Sequence, residues 1–168
     1  AVVNGLLVFT ATTAADGDEL WATDGTLLGT NQVMNIYATA SFGSYIADFT
    51  PYGSDIIFTA FDAVNGQGLW KTNGTPGGTS LIKDIDPTPP IPPPFYNLVP
   101  SIISGFFNFQ NTIYFTGTDG ATGYELWKTN GTALGTVQVK DINPAGDGMP
   151  QLFLAVKNNS KFFFTATD

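Results

Sequence analysis

One unit of about 50 residues recurs along this chain, which commits it to packing successive copies of a single small building block. The copies are LVFTATTAADGDELWATDGTLLGTNQVMNI, IIFTAFDAVNGQGLWKTNGTPGGTSLIKDI and IYFTGTDGATGYELWKTNGTALGTVQVKDI, and a fourth opens with KFFFTATD. Equivalent phenylalanines stand at Phe9, Phe58, Phe115 and Phe164, which are 49, 57 and 49 residues apart. Inside each copy the spacing is constant: 12 residues from Phe to Trp21, Trp70 or Trp127, then 15 to Ile36, Ile85 or Ile142. All length variation falls in the connectors, and the longest of these holds the proline-rich run Pro87 to Pro94. The modules are read as residues 1–40, 41–88 and 95–147 with a partial copy at 148–168, and 87–94 as a stiff connector.

Each module reads as strands. The runs around the four phenylalanines are rich in Val, Ile, Phe, Tyr and Thr, and several, such as Ile56-Ile57-Phe58, are apolar on both alternating faces, as in a strand covered on both sides. A second strand carries Leu-Trp and ends at Asp24-Gly25, Asn73-Gly74 or Asn130-Gly131, dipeptides suited to the positive φ of a tight turn. A strand on either side completes a four-stranded antiparallel meander. With 19 Gly and 11 Pro punctuating the chain, no helical stripe outlasts a turn. The predicted fold class is all-β, built from propeller-like modules in three copies plus a partial fourth.

Composition removes several classes of function. The chain has no Cys and no His, so thiol nucleophiles, imidazole bases, disulfides and most zinc sites are excluded. Its 6 cations are all Lys against 14 acids, a net charge of −8, which argues against a nucleic-acid partner. No apolar run approaches the length of a membrane-spanning helix, so no membrane insertion is expected. The start at Ala1, without a basic-then-apolar leader, reads as a mature product or an excerpt of something longer. Acidic pairs such as Asp84 and Asp86 recur as strand endings, with Asn35 and Asp141 at the place of Asp84, so no single position breaks the repeat as catalysis would. The chain is read as no enzyme.

The ELW of Glu19–Trp21 with the DGT of Asp24–Thr26, and ELWKTNGTALGT from Glu125 to Thr136, resemble the ELWxxDGT repeat of large secreted or surface bacterial proteins. The second copy departs, with Gly68 in place of the Glu. The resemblance implies an extracellular or cell-surface, propeller-like or array architecture and carries over no catalytic residues.

Three and a fraction modules leave a sheet edge and apolar side chains without cover, which further sequence of a longer array, a neighbouring copy or closure of a compact ring would each complete; such an edge is a template for pairing with a second chain. The expected function is therefore non-catalytic: a structural or adhesive protein that joins copies of itself head to tail, by strand pairing, into a filament or surface array. Val3, Leu7, Phe9, Phe162, Phe163 and Phe164 are the predicted assembly residues. The alternative is a carbohydrate- or ligand-binding propeller, with aromatics such as Tyr124 at the blade tops. Trp21, Trp70 and Trp127 suit sugar stacking in principle, but their fixed place reads as a packing layer. Asn73, Asn130 and Asn158 begin glycosylation sequons, which makes glycans candidate partners. No cofactor is required. Asp16 and Asp18 are weak calcium candidates, because their counterparts in the other modules are not acids.

Overall fold

The computed structural model describes residues 1–38, 43–87, 103–156 and 160–168. The β-branched and aromatic runs form three four-stranded meanders and one two-stranded sheet. The first sheet contains β1 (Val2–Val3), β2 (Leu6–Thr13), β3 (Gly17–Thr23) and β4 (Asn31–Met34); the second contains β5 (Ala47–Tyr52), β6 (Asp55–Asp62), β7 (Gly66–Thr72) and β8 (Ser80–Asp84). The third contains β9 (Ile103–Phe109), β10 (Thr112–Gly117), β11 (Glu125–Thr129) and β12 (Val137–Lys140), and the fourth β13 (Gln151–Ala155) and β14 (Phe162–Thr165). Neighbouring strands are antiparallel throughout. The all-β, antiparallel modular fold expected from the sequence is thus present. A single 3-10 turn, Pro76–Gly78, is the helical element among the described residues.

The constant spacing of the sequence becomes a constant register. Phe9 faces Trp21, Phe58 faces Trp70 and Phe115 faces Trp127 across the two central strands. In each module the pairing with the fourth strand slips by one residue between Leu and Trp, a bulge that adds local twist. Two-residue turns join the first two strands; Asn4-Gly5 and Gln110-Asn111 hold positive φ at both positions, the geometry that matches strand twist. The connection after the Trp strand differs from the expected tight turn. It is a seven-residue loop, as between Thr23 and Asn31, in which only the Gly after the Asx has positive φ, at Gly25, Gly74 and Gly131.

Successive sheets pack face to face because their central strands are apolar on both sides. Val8, Leu20 and Val33 of the first sheet meet Ile56, Phe58, Ala60 and Trp70 of the second. The opposite face of the second sheet, Ile57, Leu69 and Ile82, meets Ile103, Ile113, Phe115 and Trp127 of the third. The free face of the third sheet then receives the fourth: Phe162 lies 5.6, 5.1 and 4.6 Å from the rings of Phe107, Phe109 and Tyr114. A ring pair recurs at the same place in three sheets, Phe49–Phe58, Phe106–Phe115 and Phe153–Phe164, at 5.6, 5.5 and 5.8 Å. Each fully buried aliphatic or aromatic side chain contributes about 1.5–3 kcal/mol, so these layers carry most of the stability.

Candidate functional site

The Asx-Gly-Thr loops are a self-contained device, repeated three times. Asp24 Oδ1 accepts from the backbone N–H and the hydroxyl of Thr26, at 2.9 and 2.7 Å. Asn73 Oδ1 does the same for Thr75, and Asn130 Oδ1 for Thr132. The Thr hydroxyl oxygen in turn accepts from the N–H of Gly29, Gly78 or Gly135, and the loop is closed by paired hydroxyls: Thr23 with Thr30, Thr72 with Thr79, Thr129 with Thr136. The second Gly is needed because a Cβ there would sit 1.9 Å from the Asx Oδ1 in all three loops. Only Oδ1 supports the turn, so Asp and Asn exchange freely. The amide nitrogens of Asn73 and Asn130 are spare for the loop itself, since Asp24 builds the same turn without one. The third sequon residue, Asn158, lies outside the described residues.

A second device was not read from the sequence. The Glu of ELW is fully buried in both modules that have it. Glu19 Oε2 accepts from the N–H of Ile36 and the hydroxyl of Ser44, each at 2.8 Å, and Oε1 accepts from the N–H of Tyr37 at 3.1 Å. Glu125 Oε2 and Oε1 accept from the N–H groups of Ile142 and Gly148, at 2.8 and 2.9 Å. Each carboxylate clasps the segment that leaves its module to its own central strand. Burial pushes the Glu19 carboxyl above the ordinary carboxylate value, against the opposing pull of its hydrogen bonds. In the second module Gly68 takes the place of Glu, and Gln67 Oε1 instead accepts from the N–H of Ile103 at 3.2 Å. The space is filled by Leu81, whose Cδ1 lies 2.5 Å from where a Gly68 Cβ would stand. Leu81 pairs with Trp70, whereas the modules with Glu have Gln32 and Gln138 opposite their Trp. The signal in the sequence was this joint exchange of Glu plus Gln for Gly plus Leu.

The predicted assembly residues divide into two groups. Leu7 and Phe9 lie on the outer face of the first sheet, and Phe163 on the outer face of the fourth. Leu7 is 47% exposed, while its counterparts Ile56 and Ile113 are at 0%; Phe163 is 62% exposed, while its counterparts Val8 and Ile57 are at 0%. Val3, Phe162 and Phe164 are not on those faces. Val3 belongs to the core between the first and second sheets, and Phe162 packs on the third sheet beside Phe164, because strand alternation turns them inward. The fourth sheet has two strands, so β14 has one edge without a partner strand among the described residues. Behind it Val139 is 43% exposed, although Val33 and Ile82 at the same place are 6% and 7%. The first sheet has a hollow of about 230 Å³ that Gly74, Thr75 and Pro76 of the next module help to enclose. The matching hollow of the third sheet, about 310 Å³, is lined by residues of the third module alone, including Thr112, Lys128, Gly135 and Val137.

The remaining candidates are local structure. Asp16 Oδ1 accepts from Asn35 Nδ2 at 2.9 Å, and the backbone oxygen of Asp18 accepts from Ser44. Among the described residues no three acidic or other ligating side chains gather in a way that holds a metal. Trp70 and Trp127 are buried between sheets, whereas Trp21 is half-buried on the outer face of the first. Of the Pro87–Pro94 connector only Pro87 is among the described residues. No helix of the described residues is long and apolar enough to cross a membrane. No family model, curated protein or solved structure matches this chain.

Proposed function

We propose that this chain is a non-catalytic scaffold that joins copies of itself head to tail, through the outer face of its first sheet and the incomplete fourth sheet. The sheets follow one another as the blades of a propeller do, with a second copy supplying strands along β14 to complete the last blade. The observation that carries this reading is the apolar exposure at the two ends of the stack: Leu7, Phe163 and Val139 are 47%, 62% and 43% exposed, while their counterparts in the second module, Ile56, Ile57 and Ile82, are buried by a neighbouring sheet. Beside that strand pairing, the face contact a second copy would make is the one the chain already makes twice within itself, with Ile56 and Ile113 standing where Leu7 stands. Backbone pairing supplies the affinity and apolar side chains the register. The acidic surface keeps the joined chains hydrated, and an extracellular or cell-surface setting follows from the ELWxxDGT resemblance.

Sedimentation velocity over a concentration series tests this. The expected result is association that grows with concentration and is lost in Leu7→Asp and in Phe163→Asp, both exposed positions where charge leaves the fold intact. Monomers alone at millimolar concentration overturn it.

A further inference from the structure

Eight buried side-chain polar atoms have no hydrogen-bond partner among the described residues, and all eight belong to one constellation repeated by module. The first module has Trp21 Nε1, Gln32 Nε2 and Asn35 Oδ1; the third has Trp127 Nε1, Gln138 Nε2 and Asp141 Oδ1; the second has Trp70 Nε1 and Asp84 Oδ1, with Leu81 at the Gln position. Buried polar groups in native proteins are nearly always satisfied. A threefold recurrence of the same orphans marks a site rather than an accident of packing.

The geometry brings these atoms together. A Cβ on Gly68 would lie 3.2 Å from Trp70 Nε1, so the indole edge reaches back along its strand to position 68. Gly68 is the direct cross-strand partner of Asp84, and Trp70 that of Leu81. Cross-strand partners project from the same face, with their Cβ atoms about 5 Å apart, so indole, Asx and the residue at the Gln position share one spot. Trp21 is paired with Gln32 and Trp127 with Gln138 in the same way. Asn35 Nδ2 is already bound to Asp16, which leaves its Oδ1 as the acceptor at this spot.

We propose that each module holds one internal water molecule here. It accepts from the indole N–H and, where present, from the Gln amide, and it donates to the Asx Oδ1. In the first and third modules two N–H donors and one oxygen engage three of a water's four hydrogen-bonding positions, and in the second module one N–H and one oxygen engage two, which suits a buried water. A direct indole–Asx bond would leave Gln32 and Gln138 orphaned. A cation would face two N–H hydrogens in the first and third modules and the indole N–H in the second, which disfavours it on chemical grounds. The Trp face of each module points to the preceding sheet, so the waters of Trp70 and Trp127 are sealed between sheets, and that of Trp21 lies under the outer face.

Water-to-indole cross-relaxation on the nitrogen-15-labelled full chain reads the three indole protons separately, with each Trp→Phe variant assigning one signal. The expected result is a direct water contact at all three, together with slow hydrogen exchange at Trp70 and Trp127 and faster exchange at Trp21. Leu81→Gln adds a third partner in the second module and should slow exchange at Trp70 about tenfold, the effect of one further net hydrogen bond. Absence of a water contact at Trp70 or Trp127 overturns the proposal, and so does a high-resolution crystal structure with the indole bonded directly to the Asx oxygen. Neither outcome depends on self-association, so this site and the scaffold reading stand or fall separately.

Discussion

Removing the Glu19 carboxylate is the sharpest perturbation of a single module. Glu19→Ala takes the Glu19 oxygens away from the buried N–H groups of Ile36 and Tyr37, while the Ser44 hydroxyl retains Asp18 O at 3.1 Å. Each hydrogen bond lost from a buried donor costs about 1–3 kcal/mol. Part of that is offset because a carboxylate no longer has to be buried, and burial is the largest influence on this group. The expected net loss is about 3 kcal/mol, or roughly 6–12 °C in Tm for a chain of this size. Glu19→Gln keeps one acceptor oxygen but turns an amide N–H toward a donor, and should lose about half as much. Urea unfolding followed by Trp fluorescence, with an unchanged m-value, measures both variants. The pH dependence gives a second reading. With the folded-state carboxyl raised above its ordinary value of 4.5, the folded chain holds a proton that the unfolded chain has released. Its contribution to stability therefore falls as pH rises through that interval, and Glu19→Gln should flatten this fall. A loss below 1 kcal/mol in Glu19→Ala would refute the clasp.

The Asx loops predict that Asp24→Asn leaves stability at neutral pH unchanged. The hydrogen bond from the Thr26 hydroxyl lowers the Asp24 carboxyl below its ordinary 3.8, so its contribution is present above that value and lost as pH falls through the folded value; the variant removes this acid limb. Asn130→Ala should cost about 1 kcal/mol by releasing Thr132, and Gly135→Ala about 1–3 kcal/mol by driving a Cβ into the Asn130 oxygen; thermal unfolding ranks them. Gly68→Glu alone should destabilise through its collision with Leu81, and pairing it with Leu81→Gln should recover about 1–2 kcal/mol in a double-mutant cycle.

The modular fold was legible because its signals are local and repeated. Phe-to-Trp spacing translated into cross-strand register, and the doubly apolar runs into strands covered on both faces. The Asx-Gly dipeptides marked the place of a turn but not its length, because loop closure depends on Thr23 and Thr30, seven residues apart. Glu19 follows Asp16 and Asp18 in the sequence, although alternation puts it inside; nothing local says that its oxygens will meet N–H groups 17 and 18 residues away. Among the assembly residues, the alternation that exposes Phe163 also turns Phe162 inward, and that assignment needed the third sheet's aromatic face to be in place.

The clasps also set how the chain carries load. Pulling on the segment that leaves the first or third module tensions a charged acceptor seated on the central strand before it peels the outer one. In the second module the corresponding hold is a neutral amide reaching Ile103. Under traction the middle module should be the first to give, so the exchange of Glu for Gly68 sets the breaking point.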